Sequence, residues 1–141
     1  MKKICFVCHG NICRSPMAEY ILKDRVNKLG LDYYIVSRAT SSEEIGNDMH
    51  YGTKRILDKY KIAYDGHFAT KLCKNDYDKF DYFICMDDNN IRNIKYIFDE
   101  YDKVIKLLDR DVRDPWYTGD FLETYKDICI GIDKLLKLLG D

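Results

Sequence analysis

The stretch Cys8-His9-Gly10-Asn11-Ile12-Cys13-Arg14-Ser15, closed by Pro16, decides how the rest of the chain reads. Before it runs the apolar segment Ile4-Cys5-Phe6-Val7. After it, Ala18, Ile21, Leu22, Val26 and Leu29 recur at the spacing of one helical face. A strand, a short loop and a helix in that order can form a cradle. Several loop N–H groups point inward, and the helix adds its positive N-terminal end. Its natural occupant is a small oxyanion, and the fork of Arg14 matches a phosphate's paired oxygens. The same field favours Cys8 as thiolate. A thiolate facing a bound phosphate is a nucleophile facing an electrophile. The alternative is an inert buried cysteine beside a capping arginine; the strand before the loop, Gly-Asn within it and Ser-Pro behind it weigh against that.

Outward from this loop, the pattern is strand and helix in alternation. Lys2 to Val7 reads as a buried strand, Ser15 as the N-cap of the first helix, Pro16 as its first residue and Gly30 as its stop. Tyr33 to Val36 is a second strand, followed by a polar bend from Ser37 to Gly46. Met49 to Tyr60 reads as a helix burying Ile56 and Tyr60, and 62–72 as loop. Lys74 to Lys79 suggests one helical turn, and Tyr82 to Met86 a third buried strand. Asp88 caps a helix to Phe98, and Lys103 to Leu107 is a fourth strand. Asp109 to Asp120 is a charged loop. The last helix, Phe121 to Leu139, carries Leu122, Tyr125, Ile128, Cys129, Ile132, Leu135, Leu136 and Leu139 on one face. The expected fold is α/β: one domain over residues 1–141, with a four-stranded parallel sheet, helices on both faces and a phosphate-binding loop after the first strand. Ligands of such sheets gather at the carboxyl ends of the strands, so Cys8 and the Asp109–Asp120 loop should open on one rim.

Composition narrows the function further. The chain has 141 residues, with 23 Lys+Arg against 24 Asp+Glu, a net charge of −1. That balance gives no electrostatic case for nucleic acid or an anionic membrane as partner. No apolar run reaches membrane length and no secretion signal is evident, so a cytoplasmic location is expected. The six cysteines lack the density of a secreted disulfide scaffold. Cys5, Cys73, Cys85 and Cys129 fall in apolar patterns and read as packing residues. His50 and His67 read as loop residues, and no spacing suggests a metal.

The sequence C-H-G-N-I-C-R-S-P resembles the low-molecular-weight protein-tyrosine-phosphatase family. The likeness continues in Ala39-Thr40-Ser41, Glu44-Ile45-Gly46-Asn47, Phe80-Asp81-Tyr82, Cys85-Met86-Asp87 and Asp114-Pro115-Trp116-Tyr117. The resemblance implies hydrolysis of phosphotyrosine or small aryl phosphates through a phosphocysteine on Cys8, with inorganic phosphate as product and no cofactor. It implies Arg14 as phosphate ligand and Asp114 as general acid and then base. Neighbouring acids favour a protonated Asp114, while Arg110 and Arg113 oppose that. It also implies that Asn11 and Ser37 hold the loop's shape and that Ser15 donates to the Cys8 sulfur. Trp116, Tyr117 and Ile12 form a wall for an aryl ring, with His9 at the rim. The resemblance further implies Cys13 as a reversible redox partner for Cys8, the alternative being a small core residue. Thr70 stands where the family often has an arginine, which puts local anchoring of the loop in doubt. A thiol-linked arsenate reductase or a protein-arginine phosphatase of the same fold are the alternatives. The first needs two relay cysteines that Cys73 and Cys85 do not obviously supply, and the second has a threonine in place of Ile12.

Overall fold

Strand β1 (Lys2–Cys8) lies inside the sheet, and every residue from Ile4 to Cys8 is buried. Its period of two sends Ile4, Phe6 and Cys8 into one core cluster and Cys5 and Val7 into another. A strand covered on both faces has to be apolar throughout, which is why this run shows no alternation. Strands β2 (Tyr33–Ala39), β3 (Tyr82–Cys85) and β4 (Val104–Lys106) complete a parallel sheet in the order β2-β1-β3-β4. In this computed structural model, which describes every residue from Met1 to Asp141, Cys8 pairs with Ala39 and Val7 with Cys85.

The larger cluster receives α1 (Arg14–Leu29), α2 (Tyr51–Lys59) and α5 (Phe121–Leu138). The smaller one, on the opposite face, receives α3 (Asp88–Ile94) and the 3₁₀ turn Lys74–Lys79, with Phe80, Phe83, Tyr77 and Phe98 packed ring against ring. The parallel α/β architecture with helices on both faces is therefore as expected. Gly30 ends α1 at φ 69°, in the left-handed region that a C-cap glycine takes without strain. No helix is long and apolar enough to cross a membrane.

Several local expectations need correction. The N-cap of α1 is Cys13, not Ser15; Ser15 lies in the first turn with its hydroxyl turned back to Cys8. Tyr60 is not buried but stacks on Tyr125 at the surface, ring centroids 4.1 Å apart. The cap of α3 is Asp87, whose side chain accepts from Asn90 N, and the helix ends at Ile94 well before Phe98. β2 runs on to Ala39, because Ser37 and Ala39 are buried where the polar bend was expected. The charged loop contains a short helix, α4 (Pro115–Thr118), capped by Asp114. Cys73 is exposed and bonds Asp76 instead of packing.

Candidate active site

The loop after β1 is held from behind by its carbonyls. The Asn11 carbonyl accepts from His67 Nε2 at 2.7 Å, that of Ile12 from His50 N at 2.9 Å, and that of Cys13 from Thr53 Oγ1 at 3.1 Å. With those oxygens turned outward, the amides of Gly10, Ile12, Cys13 and Arg14 donate to no protein acceptor. They are left for an anion, at the N-terminal end of α1. Asn11 makes this turn at φ 60°. Its side chain then binds three partners: Nδ2 donates to Ser15 Oγ and Ser37 Oγ, and Oδ1 accepts from Thr70 N. Thr70 thus anchors the loop through its backbone, which answers the doubt raised by the absent arginine.

Cys8 is buried, with Sγ accepting from Asn11 N at 3.3 Å and lying 3.0 Å from Ser15 Oγ. Ser15 already accepts from Asn11, so its own proton is left for the sulfur. Both donors are aimed at the sulfur, one from the loop and one from the first turn of α1. Behind them, Ser37 Oγ donates to the buried Glu19 at 2.6 Å, and Glu19 pairs with Lys23. Glu19 and His67 were missed by sequence reasoning. Glu19 sits among the polar positions of α1, and His67, which opens the stretch where Thr70 replaces the family's arginine, read only as a loop residue.

Arg14 is buried too. Its Nη1 donates to the Val112 carbonyl at 3.0 Å, while Nη2 reaches Asp87 at 2.9 Å and Asp114 at 3.4 Å. Burial pulls its pKa down, but Cys8, Asp114 and Asp87 together raise it above the ordinary value, so the guanidinium stays charged. Asp87 serves twice, capping α3 with one oxygen and holding Arg14 with the other. Its position after β3 gave no hint of the second use.

Asp114 accepts from Trp116 N with its other oxygen at 3.1 Å. The other charges expected to act on it are engaged elsewhere: Arg110 grips Asp127, Arg113 pairs with Glu123, and Asp120 caps α5. Asp111 is bound by Lys106, whose hydrogen bond holds its carboxyl below the usual range. The cation beside Asp114 is Arg14.

Cys8, Arg14 and Asp114 line one cavity of about 430 Å³ together with His9, Gly10, Asn11, Ile12 and Cys13. Trp116 and Tyr117 form its side, both largely exposed. His9 sits at the rim against Glu43 at 3.1 Å. Glu43, Glu44, Asn89 and Asn93 also line the mouth; Glu44 belongs to a block of the family likeness, and the other three had no signal in the sequence. Cys13 shares the cavity, its thiol pushed up to about 12 by burial first and then by the Cys8 and Asp114 charges.

Residues 3–141 match the family model for low molecular weight phosphotyrosine protein phosphatase. The chain belongs to this family. The low molecular weight protein-tyrosine-phosphatase PtpA of Staphylococcus epidermidis is 41% identical over 144 residues, covering 96% of this chain and 92% of that one. Among solved structures, the phosphatase SP-PTP of Streptococcus pyogenes superposes with a TM-score of 0.93 at 44% identity, over 99% of this chain and 93% of that one. YfkJ of Bacillus subtilis superposes at 0.95 with 38% identity, covering 99% and 95%. As a low molecular weight phosphatase, the chain is an enzyme whose relatives carry the same fold from end to end.

Proposed function

We propose that this phosphatase hydrolyses phosphotyrosine, on a protein or as a small aryl phosphate, through a phosphocysteine on Cys8. The observation that carries this is the pair of donors on Cys8 Sγ, Asn11 N–H and Ser15 O–H, in a cavity also lined by Arg14 and Asp114. The loop amides and the Arg14 fork bind the phosphate oxygens. The thiolate attacks phosphorus as the bond to the tyrosyl oxygen breaks, and Asp114 gives that oxygen its proton. In the second step Asp114 takes a proton from water, the water oxygen attacks phosphorus, and the S–P bond breaks. The sulfur leaves as a thiolate eased by Ser15 and Asn11, and inorganic phosphate is released. Trp116, Tyr117 and Ile12 offer an aryl ring a stacking surface.

Two features favour ester hydrolysis over arsenate reduction. Cys85 is fully buried in β3, and neither it nor Cys73 lines the cavity. The proposal extends to Cys13 as a resolving thiol for oxidised Cys8, since both free thiols belong to the same loop. The test is hydrolysis of phosphotyrosine and of nitrophenyl phosphate with chelator present. Cys8→Ser should lose turnover yet still bind inorganic phosphate; substantial residual turnover by that variant would sink the covalent mechanism.

A further inference from the structure

His50 sits outside the cavity, yet it touches both loops that build it. Its backbone N–H donates to the Ile12 carbonyl of the phosphate-binding loop at 2.9 Å. Its Nδ1 accepts from Gly52 N at 3.0 Å, capping α2, so this nitrogen carries no proton here. The ring stacks on Tyr51 at 4.4 Å and on Phe121 at 4.9 Å, and meets Trp116 edge-on at 6.0 Å and 83°. Phe121 opens α5 immediately after the acid loop, and it comes so close that a Cβ on Gly52 would lie 2.5 Å from its ring. The backbone N–H of Trp116 in turn donates to Asp114 Oδ1.

We propose that His50 is a positioning residue that ties the acid loop to the phosphate-binding loop through Trp116. The proposal rests on Asp114 being the general acid. Asp114 has two holds, Trp116 N–H on one oxygen and Arg14 on the other. A bound phosphate competes for Arg14, so during turnover the first hold matters more. What steadies that hold is the edge-to-face contact of Trp116 with the His50 ring, whose place is set by the Ile12 carbonyl and the α2 cap. Aromatic pairs at this separation are favourable in this orientation, and losing one in a loop that aims an acid lowers the rate by on the order of tenfold.

Trp116 is the single tryptophan of the chain, so its fluorescence reads the contact directly. His50→Asn keeps an acceptor for Gly52 N–H and removes the ring; His50→Phe keeps a ring and removes the acceptor. With saturating inorganic phosphate, His50→Asn should lower the anisotropy of Trp116 and make it easier for acrylamide to quench. The same variant should lose about tenfold in kcat/KM, which reports phosphorylation of Cys8, on phosphotyrosine relative to nitrophenyl phosphate. His50→Phe should keep both properties near wild type while melting at a lower temperature. Unchanged Trp116 anisotropy in His50→Asn overturns the proposal, as do equal losses in both variants that follow Tm. If Asp114→Asn leaves the ratio between substrates untouched, the acid assignment has failed, and the anisotropy still decides His50.

Discussion

Asn11 shows how much one side chain can settle in a small site. A residue at φ 60° is strained for most side chains, and asparagine is among the few that accept it. The turn also aims its amide group at Ser15, Ser37 and the Thr70 backbone, so conformation and hydrogen bonding favour the same residue. Cys13 is an opposite case, a thiol whose environment holds its proton. With its pKa pushed up to about 12, Cys13 is protonated at neutral pH. Closure of a disulfide onto oxidised Cys8 needs the Cys13 thiolate, so a raised pKa slows closure and rising pH speeds it. Between about pH 7 and 9 the closure rate after a peroxide pulse should rise roughly tenfold per unit. A flat profile, or equal recovery of wild type and Cys13→Ser by dithiol reductant, would make Cys13 a packing residue only.

At the scale of elements, the acid loop carries the sharpest expectation. A tyrosyl oxygen leaves as a strong base and needs a proton, whereas nitrophenolate leaves without one. Asp114→Asn should therefore lose about 10²–10⁴ in kcat/KM, which reports phosphorylation of Cys8, on phosphotyrosine and far less on nitrophenyl phosphate. Equal losses on both would move the acid elsewhere, and Asp109 would be tested next, since Asp111 is committed to Lys106. This loop also marks where the sequence stopped being legible. The strands, α1 and α5 announced themselves because a buried face imposes a period on ten or more residues. The four-residue α4 imposes none, and a run of charges looks the same whether it is solvated or gripped by Asp127 and Glu123. Cys8, Arg14 and Asp114 were legible through motifs. Their supports Asp87, Glu19 and His67 were not, because they come from distant segments and meet only after folding.

For the whole molecule, the two sides of the sheet divide the work. The side carrying α1, α2 and α5 builds the larger core and also fixes the phosphate-binding loop and the acid loop. Its tight packing is visible at Gly131 of α5, where an added Cβ would lie 2.3 Å from Leu107 Cγ. Gly131→Ala should cost ~1–3 kcal/mol in chemical denaturation by overpacking. Stability equal to wild type would mean that Leu107 moves aside freely. On this scaffold the central claim is that Cys8 takes the phosphoryl group. The direct measurement is acid quenching during turnover of nitrophenyl phosphate, whose leaving group needs no proton, followed by mass spectrometry of the peptide that contains Cys8. Phosphate should be found on Cys8, should accumulate when Asp114→Ala slows the second step, and should vanish in Cys8→Ser along with turnover. Continued turnover with no phosphate on Cys8 would contradict the account.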